Sequence, residues 1–191
     1  MNILNIVKQA NTKEKSYYTK DNFILGKDET LNPKFTKIFG LNYNVNVYYL
    51  KISKPELNLE KNSINIHLPM KYRKQNNQHL LNAILLKMYN KIAENELENI
   101  MEKARHTFGF APEDYEIRKL NDTLATTSKE FQKIIINPYI TMYSKEVIEY
   151  IVFHEFCHLK YKNHTKQFYA MLRKFKPNFE TIAKQIPNFK Y

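Results

Sequence analysis

The sequence predicts an α+β fold in one domain, and three observations carry that prediction. Asn44–Leu50 and Ser63–Pro69 alternate apolar and polar residues with period two, the pattern of half-buried strands. The stretch from Gln78 to Arg105 repeats apolar residues at helical spacing. A later stretch ending at Leu159 is apolar almost all round and contains His-Glu-x-x-His, as a buried helix carrying a metal motif would. Strands, a long helix, further strands, the motif helix and a closing helix describe a small, mostly antiparallel sheet with helices packed on it.

Residues 1–35 are polar and weakly periodic. They read as an N-terminal extension with at most one short helix, which leaves residues 36–191 as the domain. The two alternating strands are joined by Ser53–Asn62, so an antiparallel pair is expected. In the long helix, Leu81, Ile84, Leu85, Met88, Ile92, Leu97, Ile100 and Met101 form the apolar stripe, Lys87, Lys91 and Glu98 lie opposite, and Gly109 follows the end. Tyr115–Arg118 suggests a short strand, and Ile134–Ile136 a better one because all three residues are β-branched. Ser144 is placed to cap the motif helix, with Glu146 in its first turn. His67, His79 and His106 fall at polar or terminal positions and are expected at the surface.

The motif is His154-Glu155-Phe156-Cys157-His158. Positions i and i+4 lie one turn apart on one helix face, so His154 and His158 point two imidazoles at one spot. A catalytic zinc ion takes such a pair plus a third protein ligand. Glu155 is placed to serve as general base toward a water on that ion. Its burial without a partner would be costly, and a bound cation beside it would relieve that cost. His164 is a candidate third ligand. Six residues turn a straight helix by about 600°, so the helix must end first, and Lys160–Asn163 can end it because Asn tolerates the left-handed conformation. His164 would then open the next helix, from Thr165 to about Phe175. The rival is Glu180, as catalytic zinc takes three histidines or two histidines and a glutamate. The long metzincin motif has the same spacing to His164, but its glycine is Tyr161 here. Cys157 points off the ligand face and reads as a small buried hydrophobe.

The 191 residues suffice for one domain with a real core. No apolar run is long enough to span a membrane, the start lacks an apolar signal core, and the one cysteine excludes an intramolecular disulfide. A cytoplasmic location is expected. The net charge of +11 is uneven: +7 over residues 1–75, −3 over 76–158 and +7 over 159–191. The basic C-terminal stretch fits either contact with DNA or other nucleic acid, or a composition rich in Lys and Asn. Only three glycines occur, and none forms a phosphate-binding loop.

The run Ile148–Leu159, followed by Asn163-His164-Thr165 and Phe168-Tyr169, resembles the YgjP-like metallopeptidase family, which is related to the SprT-like zinc proteases. That family's pattern is an apolar helix with His-Glu-Leu-x-His, a short loop, Asn-His-Ser, and Phe-Trp on the next helix. Upstream, Phe39–Pro69 resembles its opening strands, 78–105 its long helix and Ile134–Asn137 its edge strand. The stretch Leu124-Ala125-Thr126-Thr127-Ser128 departs from the family's Trp-Gly-Ser-Cys-Ser. The resemblance implies a zincin-like domain, Zn2+ as cofactor, His154, His158 and His164 as its ligands, and Glu155 as the catalytic residue. It implies hydrolysis of a peptide or protein substrate, with the substrate pairing along the Ile134–Ile136 edge. Tyr161 and Tyr169 are candidates to stabilise the oxyanion. Two other readings stand beside this one. Some members carry a nucleotide pyrophosphatase label, and a non-catalytic nucleic-acid-binding zinc domain would be a third class. Glu155 weighs against the last, because a structural site is closed by four protein ligands and needs no base. SprT-like relatives cleave proteins joined to DNA, so protease and DNA binder are compatible.

Overall fold

The computed structural model describes residues 35–121, 123–128 and 132–186. The extension read over residues 1–35 lies outside these except for Phe35. Two compact units meet in sequence at Met88 and Tyr89, within a continuous helix.

The first unit holds a four-stranded sheet: β1 (Phe35–Ile38), β2 (Leu41–Leu50), β3 (Glu56–Leu59) and β4 (Ser63–Pro69), in the order β1-β2-β4-β3. Phe39 and Gly40 both take positive φ, 51° and 81°, which is the geometry of a two-residue hairpin turn between β1 and β2. The expected antiparallel pairing of Asn44–Leu50 with Ser63–Pro69 is wrong. They run parallel, Val45 opposite Ile64 and Val47 opposite Ile66. The reason lies in the connection, where Leu57 and Leu59 provide a further strand that pairs antiparallel with β4. β4 is thereby sandwiched between β3 and β2, and a chain that reverses once to form β3 returns in the direction of β2. Val45, Leu57, Ile64, Ile66 and Leu68 fill the buried face. His67 is on the other face, beside Tyr48 with ring centroids 5.6 Å apart.

Helix α1 (Gln78–Phe108) runs from the first unit into the second. It stops at Gly109, whose φ of 72° supplies the left-handed residue that closes a helix. His79 is exposed, and His106 is an exposed partner of Glu102 at 2.8 Å.

The second unit holds β5 (Asp114–Ile117), β6 (Ala125–Ser128) and β7 (Lys133–Ile136), in the order β5-β7-β6, then α2 (Lys145–Lys160), α3 (Lys166–Phe175) and α4 (Phe179–Ala183). This arrangement corrects a second expectation. The Ile134–Ile136 strand is central, parallel to β5 on one side and antiparallel to β6 on the other. Ile134 and Ile136 are fully buried, as the middle of a sheet requires. Its backbone is taken on both sides, so no substrate can pair with it. The edge is β6, formed by the stretch that departs from the family's motif. Among the described residues β6 pairs only with β7, and α2 packs beside it. The sheet is pinned at Asn137, whose buried amide donates to the carbonyls of Leu120 (2.9 Å) and Thr123 (3.0 Å), and whose Oδ1 accepts from the Tyr139 N–H. An aromatic cluster on Phe108 gathers Phe153, Phe156 and Phe175 at centroid distances of 5.2, 5.4 and 4.6 Å, fixing α2 and α3 to the end of α1.

Replacing Asn137 by Ala removes the buried amide that joins the Leu120 and Thr123 carbonyls to the sheet, so stability should fall by about 1–2 kcal/mol. Urea denaturation measures that loss, and an unchanged midpoint would remove Asn137 from this role.

Candidate metal centre

α2 begins at Ser144, whose Oγ accepts from the Val147 N–H at 3.4 Å. One turn separates His154 from His158 on the same face. The helix ends because Tyr161 leaves the helical conformation for an extended one, φ −120° and ψ 108°. The expectation of a left-handed Asn163 fails, since Phe39 and Gln132 are the only non-glycine residues with positive φ among those described. The extended Tyr161 swings the chain back across the helix end. Thr165 then caps α3, accepting from the Phe168 N–H at 3.3 Å. His164 is thus carried to the pair on α2, and the three ring nitrogens lie within 4.8 Å of one another.

The contacts are closer for two of the pairs. His154 Nε2 is 3.1 Å from His158 Nε2 and 3.0 Å from His164 Nε2. Two nitrogens each about 2.0–2.1 Å from a tetrahedral ion stand about 3.3 Å apart, so the three rings are spaced for one cation. Proton chemistry points the same way. His158 Nδ1 lies 3.0 Å from the Tyr161 carbonyl, and a carbonyl only accepts, so Nδ1 carries the proton and Nε2 presents a lone pair. Burial, with His158 and His164 nearby, holds His154 down at about 3. Burial and His158 also lower His164. Imidazoles that resist protonation are available as ligands. Phe168 lines the cluster, its ring 4.9, 4.7 and 4.7 Å from those of His154, His158 and His164. Exposure rises from buried His154 through half-buried His158 to exposed His164, so the cluster opens toward α3.

Glu155 is buried beside this group. Burial pushes its carboxyl up to about 7, against the pull of a hydrogen bond from Thr127. Thr127 Oγ1 donates to Oε2 at 2.6 Å and lies 3.2 Å from the Glu155 carbonyl oxygen. Sequence reasoning gave Thr127 no role. Its signal was position alone, in a Thr-rich stretch that replaces a family motif. Cys157 is fully buried, and burial together with Glu155 pushes its thiol up to about 12, which suits a packed hydrophobe. Glu180 stands apart from the histidines, exposed and paired with Arg173 at 2.7 Å. Tyr161 contributes its carbonyl to His158, and the ring of Tyr169 stacks on His164 with centroids 5.9 Å apart.

Comparison with known proteins places the chain in a family. A model of the YgjP-like metallopeptidase domain matches residues 6–188, and the chain belongs to that family of peptide hydrolases. The match begins within the stretch read as an extension. Two solved structures are similar to parts of the chain. One is the metallopeptidase zymogen of Pyrococcus abyssi abylysin, 26% identical over 46% of this chain and 89% of that one, with a TM-score of 0.43. The other is the metallopeptidase zymogen of Methanocaldococcus jannaschii jannalysin, 23% identical over 47% and 86%, also at 0.43. No curated protein matches.

The buried carboxyl makes a pH prediction for the metal-free protein. An unfolded Glu titrates near 4.5 and the native Glu155 near 7. Between those values the native state holds a proton that the unfolded state has lost, so stability falls as pH rises. Glu155→Gln lacks this slope. Its stability relative to wild type should climb by about 1–3 kcal/mol between pH 4.5 and 7, and parallel pH profiles would show that Glu155 is not held protonated.

Proposed function

We propose that the chain hydrolyses peptide bonds at a zinc ion held by His154, His158 and His164, with Glu155 as general base. The convergence of three Nε2 atoms, two from α2 and one from the segment leading into α3, at 3.0–3.1 Å steps is the observation that carries this reading. Three imidazoles with no fourth protein donor among the described residues match the open donor set of a catalytic ion. Zinc in that position supplies Lewis acidity toward a water and toward the scissile carbonyl.

The chain's own residues do the rest. Glu155 takes a proton from the attacking water and returns it to the leaving amine nitrogen, as a buried carboxylate beside the ion is placed to do. Thr127 holds one carboxylate oxygen of Glu155 and leaves the other for the proton. It acts as a positioning residue. The edge of β6 gives an extended peptide a backbone to pair with beside α2, by strand addition. Tyr169 is the better candidate for the developing oxyanion, since its ring rests on His164.

Glu155→Gln should retain one zinc per chain and lose about 10²–10⁴-fold in kcat on a casein or peptide substrate. Thr127→Ala should lower kcat with little change in KM, and Thr127→Ser should restore it. Near-wild-type turnover in Glu155→Gln would remove the base from the mechanism.

Metal content decides the third ligand. His164→Ala should lose most of the zinc, while Glu180→Ala should keep it, because Glu180 is held by Arg173 away from the histidines. Atomic absorption on the two purified variants makes the comparison, and the reverse pattern would put Glu180 in the site.

A further inference from the structure

On the open, His164 side of the metal centre lies a cleft of about 580 Å³, lined by Lys166, Tyr169, Arg173, Phe179, Glu180 and Lys184. Three features define what it accepts. The first is charge: three cations stand against one carboxylate. Arg173 is committed to Glu180 at 2.7 Å, whereas neither Lys166 nor Lys184 has an acidic partner among the described residues. The second is aromatic packing. Tyr169 stacks on both His164 and Phe179, and Phe179 stacks on Tyr169 and Tyr150 with interplanar angles of 17° and 14°. These ring faces are engaged in one ladder, which leaves no flat surface for a nucleobase. The third is location, since the wall formed by Tyr169 is shared with the His164 ring.

We propose that this cleft is a substrate subsite for a carboxylate, borne by an acidic side chain or by the C-terminus of the peptide. The assignment rests on the peptidase reading above and names its substrate class. Glu180 is part of the selection. Its charge repels a phosphate dianion more strongly than a single carboxylate, while Lys166 and Lys184, with no acidic partner among the described residues, supply cations that a carboxylate pairs with. Arg173, stacked 5.4 Å over Phe179, is fixed in place and keeps further N–H donors for the ligand.

The test measures binding separately from turnover. Fluorescein-labelled pentapeptides are titrated into the zinc-loaded Glu155→Gln chain by fluorescence anisotropy: one with a single Glu, its Gln counterpart, and the Gln peptide with free and with amidated C-terminus. At least one carboxylate should tighten binding about tenfold over its neutral match, with an effect that shrinks as salt is added. Which peptide gains distinguishes the side chain from the terminus. Lys166→Glu with Lys184→Glu should abolish the preference, and Lys166→Gln with Lys184→Gln should weaken it. Equal affinity for acidic and neutral peptides overturns the assignment, as does a preference that survives charge reversal. A single-stranded oligonucleotide binding at least as tightly as the acidic peptide, and lost on charge reversal, also overturns it and gives the cleft to polyphosphate. Wild-type turnover of the same peptides tests the other reading. Cleavage without acidic preference sinks the subsite alone, whereas acidic binding without cleavage of any peptide sinks the peptidase reading alone.

Discussion

The convergence of three imidazoles depends on where α2 stops. Had the helix continued through Tyr161, His164 would have been carried round to another face. Tyr161 prevents this by turning extended while its N–H still donates to Cys157 at 2.9 Å. Its carbonyl is thereby aimed back at His158 Nδ1. One residue ends the helix, returns the chain and fixes the tautomer of a neighbouring ring. The Thr165 cap completes the turn by starting α3 at once. The site therefore owes its geometry to local backbone conformation as much as to long-range packing.

Around that turn the molecule is built to keep charge off the imidazoles. Phe168 sets hydrocarbon against all three rings and His154 is buried, an environment that disfavours the imidazolium form. The same burial raises Glu155, so a carboxyl and two of the histidines, His154 and His164, are driven in opposite directions by one cause. Thr127 moderates the effect on the carboxyl from a different element, the edge strand. Two layers of the second unit thus meet at Glu155, and its placement cannot be understood from α2 alone.

Much of this was legible in the residues. The period-two and period-3.6 patterns marked β2, β4, α1 and α2, and the i, i+4 histidines fixed which face of α2 matters. His164 could be placed because only an early helix end brings it back. What stayed hidden has physical reasons. β3 and β6 are four residues long, too short for alternation to register, and missing β3 made a parallel pair look like a hairpin. Ile134–Ile136 looked like an edge because a β-branched run says nothing about how many neighbours a strand has. The helix end was expected from Asn163, which propensity favours, yet Tyr161 provides it, because an extended residue breaks a helix as well as a left-handed one does. Thr127 was invisible because a single hydroxyl acquires meaning only when sheet and helix are assembled.

The division of the histidines between α2 and the segment leading into α3 has a mechanical side. Two belong to α2 and one to the segment leading into α3, with five residues between His158 and His164. An ion gripping all three acts as a removable rivet across that short loop. If it binds the native arrangement and not the unfolded chain, the resistance of α3 to opening would rise with the logarithm of free metal concentration. Because His164 is both the exposed member and the one on the separate element, such a rivet would come undone from the outside, at the segment that carries the wall of the cleft. On the proposed ligand set, loading of the ion and order in the α3 cleft would therefore be coupled, and a chain starved of metal would loosen first at the segment that carries the wall of the cleft.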